Sequence, residues 1–408
     1  MEPKPQDVSI HRNVSIMAIG NVLSTSANTL WIMFMPYYFL TVGFQEFMIG
    51  VIFSIIAVTR AINSLIGGRV ADKVGRKPVI LLGYTIFCSG PMIILLSVFL
   101  LEQGSVIAGI VAVLGLTLGL MGGGLSRPAS SIMLVESSKK KKRGLTYMVV
   151  SRVLPSIPPA VLIIIGWWLY ENQMFWLALL IGSIGILIVV MIFAIGLRET
   201  LTIIDKPVRQ KPSFKSDSGL WFLVLIAAAF ALDGISSSGL SWYVPLFVID
   251  GSIYTLMISI STLVIAGAAL AAGLLVDKVG ARSAIVVGWT VLAITVALFP
   301  HALLPLELVV LYSIWAGLDM VDISIPALVI AERFPKDERA SVLGSFSMTI
   351  SLTSTVGPIL IAFALLLGDN VPFYLKAVMN IAGVILFLLA TRNQIDEKEP
   401  VNDIVHSF

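Results

Sequence analysis

Residues 68–77 read GRVADKVGRK, and a closely similar stretch, GLLVDKVGAR, occupies residues 273–282. Glycine, aspartate, lysine, valine and glycine recur at the same relative positions in the two stretches. A second echo follows in the same order, because Glu136 precedes Arg143 by seven residues and Glu332 precedes Arg339 by seven residues. Two echoes in matching order predict that the chain consists of two homologous halves.

The composition places both halves in a membrane. Of the 408 residues, 57% are hydrophobic and only 12% are charged, whereas about 25% are charged in a typical soluble domain. The mean hydropathy is +0.97. A helix needs about 20 apolar residues to cross a bilayer, and such runs follow one another along almost the whole chain. The sequence therefore predicts an all-α polytopic membrane protein.

Charged and turn-forming clusters divide the apolar sequence into twelve predicted membrane segments. These are residues 13–41, 48–68, 78–101, 105–136, 144–169, 173–197, 219–248, 253–276, 283–300, 305–332, 340–367 and 373–391. A long polar connection joins the sixth segment to the seventh and divides the chain into six plus six. We therefore predict a six-helix half at residues 1–197, a cytoplasmic linker at 198–218 and a second six-helix half at 219–408.

Lysine and arginine fall almost entirely on alternate connections between these segments. The even connections carry them in clusters such as Lys139 to Arg143, and the odd connections carry acids, with Lys376 between segments 11 and 12 as the exception. Because basic loops stay in the cytoplasm, the pattern predicts an even number of spans with both termini cytoplasmic. It also explains the sequence pI of about 8.9 as topology, without a nucleic-acid partner.

GRVADKVGRK resembles the signature loop between the second and third helices of the major facilitator superfamily, G-x-x-x-D-R/K-x-G-R-R/K, and the resemblance covers essentially the whole chain. It implies twelve transmembrane helices in two pseudo-symmetric halves, in a monomer of the cell membrane. It also implies a gating network in which Asp72 helps to lock the outward-facing state. The gating residues are Gly68, Asp72, Gly75, Arg76, Glu136 and Arg143, with Asp277, Glu332 and Arg339 in the second half.

Six ionisable residues interrupt the apolar segments deep inside the predicted bilayer. They are Arg60, Arg127 and Arg152 in the first half and Asp233, Asp319 and Asp322 in the second. An ionisable group costs at least about 2.5–3.5 kcal/mol at the centre of a membrane, so its presence points to function. At a rise of roughly 1.5 Å per residue, Arg127, Arg152 and Asp322 lie at similar depths. This predicts a charge pair that bridges the two halves.

Asp319 and Asp322 are three residues apart and therefore share one face of a helix. Two nearby carboxylates in an apolar site do not both ionise cheaply, so we expect one of them to hold a proton. On this basis Asp233, Asp319 and Asp322 are candidates for proton coupling. Two other interpretations stay open here: Asp322 forms a structural pair with Arg127, or the carboxylates bind a cation directly.

The three arginines favour an anionic solute, because guanidinium groups bind carboxylate and phosphate well. Polar and aromatic residues of the predicted cavity helices join them as candidates for the binding site: Asn28, Trp31, Ser237, Trp242 and Tyr243. The sequence thus predicts a secondary active transporter that moves a small organic anion together with protons across the lipid bilayer by alternating access.

Two other functions fit the same pattern less well. One is a proton-driven exporter of multiple drugs or lipophilic cations, in which the aspartates face the substrate. The other is a non-transporting receptor or scaffold with the same fold. Phosphate-binding loops and clusters of cysteine and histidine are absent from the sequence, so we expect no cofactor, no metal and no enzymatic activity.

Overall fold

In the computed structural model the chain forms a bundle of helices. The structure describes residues 5–101, 104–138, 146–147, 149–200, 217–248, 250–319, 346 and 348–392. Within these ranges every regular element is helical and no strand occurs. The all-α fold class predicted from the sequence is therefore confirmed.

The helices that precede residue 200 are numbered α1 to α7. They are α1 (Pro5–Thr29), α2 (Met35–Thr41), α3 (Glu46–Val74), α4 (Arg76–Leu100), α5 (Ser105–Glu136), α6 (Pro159–Glu171) and α7 (Phe175–Gly196). A 3₁₀ turn, Ile32–Phe34, separates α1 from α2. A π-helical turn, Val149–Val153, and one further helical turn, Leu154–Ser156, precede α6.

The helices that follow residue 216 are numbered α8 to α13. They are α8 (Asp217–Phe247), α9 (Gly251–Val279), α10 (Ala281–Leu298), α11 (Pro305–Leu318), α12 (Met348–Leu365) and α13 (Val371–Ala390). A 3₁₀ turn, Ser354–Val356, interrupts α12 just before Pro358. The prolines at the start of α11 and α13 suit the first turn of a helix, where a backbone N–H has no helical partner.

Nine of the described helices are long and apolar enough to cross a membrane, or ten if one bent pair forms a single span. That pair joins Val149–Ser156 to Pro159–Glu171 at an angle of 49°. Pro155, Pro158 and Pro159 account for the bend, because proline removes a helical hydrogen bond and clashes with the preceding turn. The chain is thus a multi-pass membrane protein. Four of the twelve predicted segments are not described as single unbroken helices. The first is broken between α1 and α2, and the fifth contains this bend and begins outside the described ranges. The tenth and the eleventh run into residues 320–345, which also lie outside the described ranges.

Glycines bring α4 and α5 into close contact. A Cβ atom added to Gly90 of α4 would lie 2.7 Å from the Cα atom of Gly119 in α5, and one added to Gly122 would lie 2.5 Å from the carbonyl oxygen of Gly83. Small residues commonly let the backbones of membrane helices approach in this way. The packing fixes α5 and, with it, the position of Arg127.

The two predicted halves meet at the end of the bundle that carries Glu46, Glu171 and Asp250, which we call the acidic end. Here α6 packs against α9, and α3 packs against α12. Ser54 of α3 donates a hydrogen bond to the carbonyl oxygen of Thr355 in α12 at 3.1 Å. The opposite end carries the predicted signature loop with its lysines and arginines, and we call it the basic end.

Aromatic rings reinforce the contact between the halves at the acidic end. Tyr37 of α2 meets Tyr254 of α9 edge-on, with ring centroids 6.0 Å apart. Phe53 of α3 stacks on Trp242 of α8 with a centroid distance of 6.3 Å. Three other rings of this end, Phe47, Phe363 and Trp167, make similar contacts, the last against Gly251. The acidic end is therefore sealed by apolar packing.

Candidate functional site

Three arginines of the first half line a single cavity. Arg60 comes from α3, Arg127 from α5 and Arg152 from the turn at Val149–Val153. The cavity has a volume of about 360 Å³. Three separate stretches of chain therefore direct guanidinium groups toward one volume.

These guanidinium groups have no carboxylate counter-ion in the part of the chain that the structure describes. Among the described residues, no aspartate or glutamate lines the cavity, and none of the ion pairs between them involves Arg60, Arg127 or Arg152. The cavity is therefore strongly electropositive. A site of this kind attracts anions, because guanidinium groups hold carboxylate or phosphate oxygens through charge-assisted hydrogen bonds.

The remainder of the cavity wall is largely polar. Helix α1 contributes Asn21, Ser24, Thr25 and Asn28, and α5 contributes Ser126, Ser130 and Ser131. The aliphatic and phenyl side chains among the lining residues are Met17, Phe87, Leu134 and Pro155. This lining suits a solute that makes hydrogen bonds along much of its surface.

Three aromatic residues predicted for the binding site lie elsewhere, whereas Asn28 lines the cavity. Trp31 is fully buried and fills the space beside Gly182 of α7. Trp242 belongs to the stack at the acidic end, and the Tyr243 hydroxyl donates a hydrogen bond to the carbonyl oxygen of Asp369 at 3.0 Å. The sequence analysis selected these residues as polar and aromatic groups of the cavity helices, but their rings pack between helices.

A second charged centre lies in the other half of the bundle. The ammonium group of Lys376 on α13 is 3.2 Å from Asp233 Oδ1 on α8 and 3.8 Å from Asp319 Oδ1 at the end of α11. Lys376 also donates a hydrogen bond to the Ser237 hydroxyl at 2.5 Å, and Trp315 Nε1 donates one to Asp319 Oδ2 at 3.0 Å. One ammonium group thus serves two carboxylates; we call Asp233, Asp319 and Lys376 the charge triad.

The placement of Lys376 corrects the sequence analysis, which put this residue on the connection between segments 11 and 12. Helix α13 begins at Val371, so Lys376 lies in its second turn, and the side chain is 0% exposed. The predicted twelfth segment, residues 373–391, already contains this position. The available signal was the charge pattern itself, in which Lys376 is the single basic residue on an otherwise acidic set of connections.

Asp319 has a carboxylate neighbour on another helix, which the sequence analysis did not pair with it. Asp319 lies beside Asp233 and Lys376, and neither aspartate lines the arginine cavity. Asp322, which the sequence analysis paired with Arg127, lies outside the described ranges. The grouping of Asp233, Ser237 and Lys376 depends on contacts between α8 and α13, which spacing along one helix does not reveal.

At the basic end, Arg76 is the centre of an ion-pair network. Its side chain is 9% exposed and lies 3.5 Å from Asp72 and 3.1 Å from Glu136. The Thr200 hydroxyl donates a hydrogen bond to the second oxygen of Glu136 at 2.5 Å. The structure therefore brings together three residues of the predicted gating group, all from the first half.

Glu199 completes this network, although the sequence analysis did not select it. Its carboxylate accepts hydrogen bonds from the backbone N–H groups of Arg76 and Lys77, both at 2.9 Å, at the start of α4. An acid at the N-terminus of a helix is favourable because the helix dipole and the unpaired N–H groups are positive there. The signal in the sequence was an acid directly after a membrane segment, next to a basic loop.

The other predicted gating residues have varied positions. Gly75 adopts φ +116° between α3 and α4, a conformation that favours glycine. A Cβ atom added to Gly68 would lie 3.8 Å from Pro128. The side chain of Asp277 lies outside the described part of the chain. Three further residues also lie outside it: Arg143, Glu332 and Arg339.

The sequence model of the Major Facilitator Superfamily matches residues 17–321 and 247–407. Together the two matches span nearly the whole chain and overlap in its middle, as expected for a repeat. Among curated proteins, none matches the sequence.

Solved transporter structures share the fold at low sequence identity. The human organic anion transporter MFSD10 (TETRAN) is 19% identical, with a TM-score of 0.64 over 93% of this chain and 99% of that one. The nucleoside transporter NupG is 15% identical, with a TM-score of 0.67 over 93% and 99%. A D-xylose-proton symporter is 12% identical, with a TM-score of 0.72 over 94% and 97%.

Proposed function

This chain belongs to the major facilitator superfamily, and on that premise we propose that it carries a small organic anion across the membrane in symport with protons. The observation that carries the proposal is the arginine cavity, in which Arg60, Arg127 and Arg152 meet without a described carboxylate. In a low-dielectric site such a cluster favours an anion strongly over a cation.

The charge triad supplies the place for a proton. Asp233 and Asp319 share the single ammonium group of Lys376, so the triad carries a net charge of −1 when all three groups are ionised. Protonation of one carboxylate makes the triad neutral. A buried group of ionisable residues inside a membrane is a common basis for a proton relay. We assign the proton bound by the charge triad to coupling with solute transport.

Alternating access then requires the two ends of the bundle to open in turn. The aromatic packing at the acidic end, with Tyr37 against Tyr254 and Phe53 against Trp242, closes that side. The Arg76 network at the basic end holds α3, α4 and α5 together as one body. We assign the basic end to the cytoplasm because basic loops stay there, and the membrane to the plasma membrane.

The structural neighbours are compatible with this assignment without deciding it. One is an organic anion transporter and another is a proton symporter, but at 19% and 12% identity the likeness concerns the fold alone. The alternative of a lipophilic-cation exporter needs carboxylates that face the substrate. Asp233 and Asp319 already have Lys376 as their cation, which counts against it.

A thermal-shift screen of the purified protein in detergent tests the proposal. Organic anions and lipophilic cations are compared at mildly acidic and at neutral pH, with wild-type protein and the Arg127→Gln and Asp319→Asn variants. A ligand that binds only the folded state raises its apparent stability. We expect stabilisation by an anion and its loss in Arg127→Gln. Stabilisation by cations, lost in Asp319→Asn, would instead establish the exporter.

A further inference from the structure

The number of guanidinium groups in the cavity determines which solute charge the site favours. This inference rests on the proposed function. Three arginines face one volume of about 360 Å³. While the cavity is open, water and small ions screen them. When the halves close around a solute that screening is lost, and uncompensated charge becomes expensive in the low-dielectric interior. A monoanion would leave two of the three cations uncompensated.

Enough guanidinium groups remain for a dianion even if Arg127 pairs with Asp322, one of the interpretations that the sequence left open. If that pair forms, Arg60 and Arg152 still face the cavity, and two guanidinium groups remain for two anionic groups. If it does not form, three remain. Either arrangement is better neutralised by a dianion than by a monoanion.

The wall of the cavity adds a second constraint on the solute. Hydroxyl and amide groups of α1 and α5 outnumber the aliphatic and phenyl side chains that line it. A lipophilic anion would bury its apolar body against these polar groups and leave them without hydrogen-bond partners, which is unfavourable. The volume lies at the lower end of the range of roughly 300–1,000 Å³ that is typical of small-molecule sites, which favours a compact solute.

We propose that the transported solute is a compact, hydrophilic dianion whose two charges are held by different arginines of the Arg60, Arg127 and Arg152 cluster. The recognised chemistry is that of carboxylate or phosphate oxygens. A dicarboxylate and a phosphate monoester both supply it, and the experiment separates these two sources.

The test measures dissociation constants by thermal shift and calorimetry on the full chain in detergent at neutral pH. One arm uses short straight-chain monocarboxylates and dicarboxylates of matched carbon number, such as butyrate and succinate. The other arm uses inorganic phosphate and glycerol phosphate, with glycerol as the uncharged control. We expect the best-binding dianion to bind at least about tenfold more tightly than its matched monoanion, since one charge-assisted hydrogen bond contributes about 1.5–3 kcal/mol.

Arginine variants sharpen the test. The double variant Arg60→Gln with Arg152→Gln leaves one cavity arginine and should remove most of the preference for the dianion, and each single variant should weaken that preference. Arg69→Gln is the matched control, because Arg69 lies on the same helix as Arg60, is exposed and does not line the cavity. It should leave the preference unchanged.

The outcomes separate this inference from the proposed function. If a monoanion binds as tightly as its matched dianion, the proposal of a dianionic solute is wrong, and the proposed transport of an organic anion is unaffected. If no dianion of the panel stabilises the protein, the proposal of a dianionic solute is also wrong. Stabilisation by lipophilic cations alone overturns both.

Discussion

In the charge triad, a single ammonium group holds two buried carboxylates. Lys376 is fully buried and lies within 4 Å of both Asp233 and Asp319, at 3.2 Å and 3.8 Å. The removal of one partner from a buried ionic group is strongly destabilising, because the remaining charges keep their desolvation cost and lose their compensation. Lys376 should therefore matter more for stability than any exposed lysine.

Replacement of Lys376 by methionine should destabilise the protein by about 3–5 kcal/mol at neutral pH. Two carboxylates would then face each other without a cation. The loss should be smaller in acid, because protonation removes the charge that lacks a partner. Thermal unfolding in detergent across a pH series measures both effects.

Two variants serve as controls for Lys376→Met. Lys73→Met removes an exposed lysine and should change the unfolding temperature little. The double variant Lys376→Met with Asp233→Asn lowers the number of unpaired carboxylates to one and should recover part of the lost stability. Equal losses in the single and double variants at neutral pH would mean that Lys376 acts through packing alone.

At the scale of single residues, the sequence predicts which residues are candidates for function better than it predicts which of them contact one another. Polarity in an apolar run was enough to select Arg60, Arg127, Arg152, Asp233 and Asp319. It was not enough to show that two of the aspartates share Lys376, because that grouping depends on how separate helices pack.

At the scale of elements, the turn between α3 and α4 is the most constrained connection. Gly75 has φ +116°, a conformation that a residue with a Cβ atom adopts only at a cost. Directly beside it, Glu199 accepts hydrogen bonds from the first two N–H groups of α4. The turn and its acidic cap together position Arg76.

Gly75→Ala should destabilise the protein by about 1–2 kcal/mol. The backbone would be strained, and the new Cβ atom would lie 2.6 Å from a carboxylate oxygen of Glu199. Gly288→Ala is the matched control, because a Cβ atom at Gly288 meets no atom of the described residues within 4 Å. Unfolding temperatures in detergent that fall equally in both variants would contradict this account of the turn.

The sequence predicts the helical segments well and their interruptions poorly. Hydrophobic length identifies α4, α5 and α7 within a few residues, because a membrane span needs a minimum length. The 3₁₀ turn between α1 and α2 and the 49° bend before α6 leave the hydropathy unchanged. The prolines near the bend are the sequence signal for it, but they do not predict its angle.

At the scale of the whole molecule, the two charged centres lie in different halves. The arginine cavity is lined by residues from α1, α3, α4 and α5 and from the stretch 147–155, whereas the charge triad joins α8, α11 and α13. A proton bound in one half can influence a solute bound in the other through the movement of the halves against each other.

The central claim is that anion binding and proton coupling reside in these separate centres. Uptake of the tightest-binding anion into proteoliposomes, driven by an imposed pH gradient, tests it most directly. Wild-type protein should accumulate the anion when the outside is acidic, and a protonophore should abolish the accumulation. Arg127→Gln should lose both exchange and accumulation, whereas Asp319→Asn should keep exchange of internal for external anion and lose accumulation. Accumulation that ignores the pH gradient, or an Asp319→Asn variant that still accumulates the anion, would contradict the account.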